Sequence, residues 1–358
     1  MSGMTSLRDS SGPSVAVELA AHQVSAAGLE FRGGKPWIAT HATEPLPEGA
    51  LVPSLTAHNA HDRAAVVAAL GRVLERTGRP RRIGLVVPDL VAKVSLVRFE
   101  QVPSRAADLD QLVRWQVRKT APFAIEDAQV SYVPGLRALD GQEFIVSLAR
   151  RDVVQEYESL CAEAGAHAGI VDLATFNVIN AVLAASTPPP VASGFPPSPG
   201  FGEARRSATR EAGSRTSAAL PPTGGLVDWL LVNVAPDYAS IAIVRGEHLI
   251  FFRNRSADTE GTLADLVHQT AMYYEDRLAG TGFGRVWLAG AASAGARQAG
   301  DADEIRRSLQ ERLTTPVETV DPRAAAGLTD RIVAAPALLD TLAPLVGLLL
   351  RGREVSIG

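Results

Sequence analysis

Short segments of alternating apolar and polar residues open the chain. They predict three antiparallel strands, at Val15–Leu19, Val24–Phe31 and Pro36–Thr43, because each pair is separated by a short turn. The apolar period then changes to that of a helix at Asp62–Thr77, and a continuous apolar run at Arg82–Val87 predicts a buried strand. The pattern therefore begins as a three-strand meander followed by a helix and a strand.

The same succession returns near the middle of the chain. It predicts three strands at Trp229–Val234, Ala239–Val244 and Leu249–Ser256, a helix at Leu263–Leu278 and a strand at Arg285–Ala289. We interpret this as an internal duplication. A duplicated meander with alternating helices and strands is the arrangement of the actin-like, ribonuclease H-like α/β fold, in which two lobes flank a nucleotide cleft.

Composition and pattern divide the chain further. Residues 88–148 interrupt the first repeat with their own strands and one helix, which predicts a small inserted α+β subdomain. Residues 186–225 are rich in Pro, Gly and Ser and poor in large apolar residues, so they predict a disordered linker. The predicted organisation is a flexible N-terminus (1–14), a first lobe (15–87 and 149–185), the inserted subdomain (88–148), the linker (186–225) and a second lobe (226–358).

The inserted subdomain carries a strongly specified helix, Asp108–Phe123. Ser104 is its predicted N-cap, and Pro122 is expected to stop it. The apolar stripe of this helix excludes Trp115, which falls on the opposite side. Two interpretations stay open for this tryptophan: another element of the chain covers it, or it binds a partner.

Overall composition narrows the functional class. The chain has 358 residues, 46% of them hydrophobic, and a net charge of −4, so it lacks the basic footprint of a nucleic-acid-binding protein. The only cysteine, Cys161, fits a reducing compartment, and the N-terminal stretch has no apolar run of the signal-peptide kind, so we expect a cytoplasmic protein. The apolar segment Ile332–Leu350 predicts a buried helix rather than a membrane span, because two prolines and Asp340 interrupt it.

The turns that would hold phosphates lack the expected chemistry. A phosphate cradle favours glycine for close backbone approach, with hydroxyl or lysine donors and a carboxylate for metal-bound water. Neither turn contains glycine, and Pro236 removes a backbone donor from the second. The candidate cofactor-binding positions are Glu18, Ala20, Ala21, His22, Gln23, Asn233, Ala235, Asp237 and the adenine-side Gly290. No catalytic constellation or metal-ligand motif is found; ATP with Mg²⁺ is the only cofactor that we consider.

The middle of the chain resembles the PilM family of actin-like type IV pilus assembly proteins. The resemblance rests on Val86-Val87-Pro88, Arg114-Trp115-Gln116, Pro122-Phe123 and Tyr132. Farther along, Ile170-Val171-Asp172 with Phe176, and Leu345-Val346-Gly347-Leu348-Leu349-Leu350-Arg351, are similar to further family motifs.

This resemblance implies a cytoplasmic scaffold at the inner-membrane face. Such a protein would bind the cytoplasmic tail of a PilN-like bitopic membrane protein, connect indirectly to the pilus assembly ATPases, and neither bind nucleic acid nor insert into the membrane. The inserted subdomain would supply one wall of the peptide groove and the first meander the other. Candidate residues of this partner-binding subdomain are Arg114, Trp115, Arg118, Pro122 and Phe123, although internal packing is favoured for Phe123.

The sequence departs from the family at the phosphate turns. Glu18 replaces an aspartate, Ala20 a glycine and Ser25 a lysine; Ala21, His22 and Gln23 replace serines; and Asn233 and Ala235 depart in the second turn. The leading hypothesis is thus a scaffold with a degenerate nucleotide cleft. The alternatives are an active actin-like ATPase, a sugar-kinase relative or a related secretion-system component. A division-protein anchor of the FtsA type would need an amphipathic C-terminal helix, for which Arg351–Gly358 is too short.

Overall fold

The computed structural model describes residues 12–186, 227–294, 301–330 and 332–351. The predicted linker lies outside these residues except for Ser186, and so does the predicted flexible N-terminus up to residue 11. Pro13 is buried, and the Ser14 carbonyl accepts a hydrogen bond from the Leu29 amide at 2.8 Å. The end of the predicted flexible segment is therefore packed on the first lobe.

The elements follow the predicted order with small changes at their ends. The first half contains β1 (Val15–Ala20), β2 (Gln23–Arg32), β3 (Lys35–Pro45), α1 (Arg63–Arg76), β4 (Arg82–Val87), β5 (Ala92–Phe99), α2 (Ala106–Arg118), β6 (Ala128–Ala138), β7 (Gly141–Arg150), α3 (Arg151–Glu163), β8 (His167–Leu173) and α4 (Ala174–Ser186). The second half contains β9 (Asp228–Val234), β10 (Tyr238–Arg245), β11 (His248–Ser256), α5 (Leu263–Arg277), β12 (Arg285–Ala289), α6 (Ala291–Ala294), α7 (Ala302–Leu313), β13 (Val317–Thr319), β14 (Gly327–Leu328) and α8 (Pro336–Leu350).

Both halves build a sheet with the same strand order. In the first sheet the order is β14-β3-β2-β1-β4-β8, and in the second it is β11-β10-β9-β12-β13. In each, the first strand of the meander pairs antiparallel with the second strand and parallel with the strand that follows the helix. Apart from β14, the two sheets are topological copies. The predicted duplication and α/β fold class are confirmed.

Each sheet buries one face under helices of its own half. Helices α1 and α3 cover the first sheet through residues such as Leu70 and Leu160, and α5 and α7 cover the second through residues such as Val267 and Leu309. These side chains are almost completely buried, and removing apolar surface from water supplies most of the stabilisation of such a core.

The opposite faces are covered by helices from the other half. Helix α8 places Leu342, Leu345 and Leu349 on the first sheet, whereas α4 places Val178 and Val182 on the second. Strand β14 likewise leaves the second half and pairs in parallel with β3. The lobe boundaries drawn along the sequence stay a prediction, but packing crosses them at both of these helices.

Helices α4 and α8 meet at backbone distance. A Cβ atom built on Gly347 of α8 would lie 1.7 Å from the Asn177 carbonyl oxygen of α4. No real Cβ atom approaches a carbonyl oxygen so closely, so this position requires glycine for packing.

Among the described residues, no helix is both long and apolar enough to cross a membrane.

The inserted subdomain is a three-stranded sheet, β5-β7-β6, with α2 on one face. Val113 and Val117 of α2 pack on Phe99 and Phe144 of the sheet. The prediction for this helix was wrong at both ends. It begins at Ala106 after Arg105, with no side-chain cap from Ser104, and it ends at Arg118, because the Thr120 and Ala121 amides turn back to the Val117 carbonyl.

The contact between α4 and α8 predicts that two similar glycine substitutions have opposite effects. Gly347→Ala should lower the free energy of unfolding by about 1–3 kcal/mol, because the added methyl group overpacks the contact with Asn177. Gly71→Ala in α1, where nothing lies within 4 Å of the added Cβ, should raise it by about 0.5–1 kcal/mol through helix propensity. Urea denaturation measures both changes. Equal effects of the two substitutions would contradict the close contact.

Candidate functional site

A cavity of about 460 Å³ lies between the two lobes, where the first turns of both meanders meet. Seven of the predicted cofactor-binding positions line it: Glu18, Ala20, His22, Gln23, Asn233, Ala235 and Gly290. The structure therefore brings together residues that are more than 200 positions apart. Two predicted positions, Ala21 and Asp237, do not line the cavity; Ala21 is buried at 6% exposure.

Helices α4 and α8, each of which packs on the sheet of the other half, form part of the cavity wall. Ala174 begins α4, and Asp340, Thr341 and Pro344 belong to α8. The Asp340 carboxylate accepts hydrogen bonds from the Ala292 and Ser293 amides at 2.7 and 3.2 Å. An internal anion thus already occupies the backbone donors that follow β12.

Gly290 has a structural reason to be glycine. Its φ is +77°, and a Cβ atom there would lie 2.0 Å from the Val234 carbonyl oxygen. Any other residue would be strained and would collide with the backbone of β9. The glycine that the sequence suggested for adenine recognition is required by local packing in any case.

The cavity is acidic and poor in phosphate donors. Burial, with Asp89 as a second cause, raises the pKa of Glu18 to about 8, and burial also raises the pKa of Asp340. Neither Lys nor Arg is among the described residues that line the cavity, and Pro236 offers no backbone N–H. The residues present therefore fit a magnesium-bound triphosphate poorly. No group of three or more His, Cys, Asp or Glu side chains in the described ranges is arranged to hold a metal ion.

Asp89 is a fully buried carboxyl group that no sequence pattern singled out, and it lies outside the lining of the cavity. Its Oδ1 accepts from the Thr175 amide at 3.1 Å, and its Oδ2 accepts from the Thr175 hydroxyl and from the Ser240 hydroxyl, the latter at 2.6 Å. Asn233 donates to Thr175 Oγ1 at 2.8 Å. Burial raises the pKa of Asp89, and the hydrogen bonds from Ser240 and Thr175 oppose that rise.

Trp115 of α2 is exposed in the part of the chain that the structure describes. Its side chain is 57% exposed, so the interpretation that another element of the chain buries it finds no support in the described residues. The Lys119 ammonium lies 4.5 Å from its ring centroid, and Arg114 pairs with Asp110 at 2.8 Å one helical turn away. Arg118 and Pro122 are exposed beside them. Phe123 differs, because it packs partly buried against the subdomain core.

A groove of about 570 Å³ lies where the inserted subdomain meets both lobes. Its walls come from the loop after the first meander, the start of β5 and the end of β11: Pro53, Ser54, Leu55, Leu90, Ala92, Lys93, Val94, Phe252, Arg253, Asn254 and Ser256. The Lys93 ammonium donates to the Thr120 carbonyl just beyond α2. This bond connects the groove wall to the end of the Trp115 helix.

The first half of the fold, with its inserted subdomain, is similar to that of a known protein family. Residues 16–191, which include the first meander and the whole inserted subdomain, match the family model of type IV pilus assembly protein PilM. This segment, just under half of the chain, is similar to the PilM family. No curated protein matches the sequence.

Solved structures extend the likeness over the whole fold. A chain of the "PilM-PilN type IV pilus biogenesis complex" superposes with a TM-score of 0.71 at 14% identity, covering 96% of this chain and 99% of that one. Two further structures are more distant. A Bacteroides thetaiotaomicron protein with an actin-like ATPase fold gives a TM-score of 0.43 at 11% identity, covering 94% of this chain and 99% of that one. The cytoplasmic domain of Vibrio cholerae EpsL gives a TM-score of 0.42 at 10% identity, covering 76% of this chain and 80% of that one. At these identities the likeness concerns the fold.

Glu18 predicts a pH-dependent contribution to stability. Its folded pKa of about 8 exceeds its ordinary value of 4.5, so the folded state holds a proton that the unfolded state releases between those values. Stability from this group is full below pH 4.5 and is lost as the pH rises to about 8. Glu18→Gln should therefore gain stability relative to the wild type across this window.

Chemical denaturation at pH 5, 6, 7 and 8 measures this difference. Glu48→Gln, on an exposed turn, is the control and should follow the wild-type pH dependence. If the difference between Glu18→Gln and the wild type stayed constant over this range, the raised pKa would be wrong.

Proposed function

We propose that the protein is a scaffold of a type IV pilus assembly platform that binds the cytoplasmic tail of a PilN-like membrane protein. The observation that carries the proposal is the exposure of Trp115, 57%, on the subdomain that the family match covers. An exposed tryptophan is costly to leave in water and is among the residues that contribute most to binding at protein interfaces.

The groove, whose wall residue Lys93 bonds the Thr120 carbonyl just beyond α2, is suited to an extended peptide. It contains apolar side chains such as Leu55, Val94 and Phe252 for the side chains of a peptide, and polar groups at its rim. Lys93 and Arg253 line it, and Arg118 and Lys119 stand near the adjoining end of α2, so the surface favours a tail that presents carbonyl oxygens or an acidic group. The fold is similar to that of a chain of the PilM-PilN type IV pilus biogenesis complex, which supports this class of partner.

The proposal assigns no catalysis to the interlobe cavity. The absence of Lys and Arg among its described lining residues and the Asp340 side chain on the donors after β12 both disfavour a nucleoside triphosphate. Binding of the tail would hold the protein at the cytoplasmic face of the inner membrane, and contact with the assembly ATPases would be indirect. Nucleic acid is not expected as a partner, because the net charge is −4.

Trp115 provides the first test of this function. A synthetic peptide with the cytoplasmic tail sequence of the PilN-like protein encoded near this one should bind at micromolar concentration, as measured by calorimetric titration. Trp115→Ala should weaken binding by about 2 kcal/mol, roughly thirty-fold, which is the loss typical of a central interface tryptophan.

Met272→Ala is the matched control, since Met272 is 51% exposed on α5 of the second lobe and does not line the groove. It should leave the affinity unchanged. Absence of peptide binding by the wild-type protein would remove the proposed role, and equal losses in the two variants would remove the role of Trp115.

A thermal shift experiment tests the cavity. A ligand present at 100 times its Kd and bound only to the folded state would stabilise it by about 2.7 kcal/mol, which is visible as a rise in Tm. We expect no rise with millimolar Mg-ATP, because the donors that a triphosphate needs are missing. A reproducible rise with Mg-ATP but not with Mg²⁺ alone would favour the ATPase alternative.

A further inference from the structure

Asp89 stands at the junction of three parts of the molecule. It follows Pro88 at the end of β4, where the first lobe passes into the inserted subdomain. It is 0% exposed and lines neither the interlobe cavity nor the groove. A buried carboxyl group with no place in either site calls for a structural explanation, because burying such a group is costly unless hydrogen bonds compensate.

The hydrogen bonds of Asp89 cross between the lobes. Ser240 of β10 donates to its carboxylate at 2.6 Å, and Asn254 of β11 donates to its backbone carbonyl at 2.9 Å. Thr175, from the first half, donates to the same carboxylate and accepts from Asn233 of β9. One residue of the first lobe is thus tied, directly or through Thr175, to all three strands of the second meander.

The same residue is attached to both walls of the groove. Leu90 and Ala92, the next residues along the chain, line one wall, and Asn254, which donates to the Asp89 carbonyl, lines the opposite one. The distance between these walls therefore depends on the bonds at Asp89. Separation of the lobes would remove Ser240 from the carboxylate and Asn254 from the carbonyl, so that each acceptor would lose one donor and keep only Thr175 or the Ala92 amide.

We propose that Asp89 is a positioning residue that holds β11 against the base of the inserted subdomain and so keeps the peptide groove formed independently of any ligand between the lobes. This inference rests on the proposed function for the identity of the groove's occupant, but the geometry it describes can be measured without any peptide.

Distances between spin labels test the geometry. The labels are placed at Glu75→Cys on α1 and Met272→Cys on α5, both exposed and on different lobes. Cys161 stays unlabelled, because it is fully buried and burial raises the pKa of its thiol to about 12. The wild-type background should give one narrow distance distribution, and Asp89→Ala and Ser240→Ala should broaden it or shift it to longer distances.

Peptide affinity tests the consequence, with Thr175 supplying a matched pair. Thr175→Val removes the hydroxyl that bonds Asp89 and Asn233 at nearly constant volume, whereas Thr175→Ser keeps it. These variants are made in the natural sequence, without the two labelling cysteines. Ser240→Ala and Thr175→Val should bind the tail peptide at least about five-fold more weakly than the wild-type protein, because only the molecules with a formed groove can bind it. Thr175→Ser should bind like the wild type, even if its Tm falls, which separates positioning from a general loss of stability.

The outcomes are distinguishable. Broadened distances together with weakened binding support the inference. Unchanged distances in both Asp89→Ala and Ser240→Ala overturn it, and so do changed distances with unchanged affinity. If the wild-type protein binds no tail peptide, the proposed function fails; broadened distances would then still support the connection at Asp89, and unchanged ones would overturn it.

Discussion

The contact between α4 and α8 is the constraint on which the rest of the structure depends. Each helix lies on the sheet of the other half, and Gly347 lets the two backbones approach so closely that no side chain fits between them. Neither sheet has both faces covered by its own half of the chain. The lobes must therefore fold against each other, and the interlobe cavity forms where α4 begins and where α8 presents Asp340 and Thr341.

The cavity shows that the topology of a duplicated fold places a pocket between its halves without fixing the side chains that line it. The turns after β1 and β9 still face each other across it, as the common strand order of the two sheets requires. The strands and turns there contribute the Glu18 carboxyl group, whose pKa is raised to about 8, the Asn233 amide and Pro236. Topology places a pocket, whereas function has to be argued from the side chains within it.

Much of the fold could be predicted from local patterns. Turn residues such as Gly33 and Gly34, both at positive φ, marked the hairpin of the first meander, and its repetition revealed the duplication. The destination of α8 could not be predicted in this way. A helix that is apolar on all sides is expected to be buried, but its sequence does not say which sheet will cover it.

The residues of the candidate sites could likewise be predicted only in part. The turn positions could be found from sequence because chain order fixes where each meander turns, and seven of nine do line the cavity. Asp89 could not be found, because an aspartate after proline is an ordinary turn residue, and its partner Ser240 lies 151 positions away. Trp115 was intermediate: helical periodicity put it opposite the apolar stripe, but only tertiary structure tells whether anything covers that side.

The interface between the lobes combines apolar and polar contacts that have different physical roles. Phe176 and Phe252 meet across it at 5.5 Å between ring centroids, and such a contact tolerates sliding because dispersion and burial are only weakly directional. The bonds at Asp89 do not tolerate it, since each acceptor needs its donor within about 3 Å at a suitable angle. Apolar burial thus holds the lobes together, whereas the directional bonds of the buried Asp89 specify how the lobes are placed against each other.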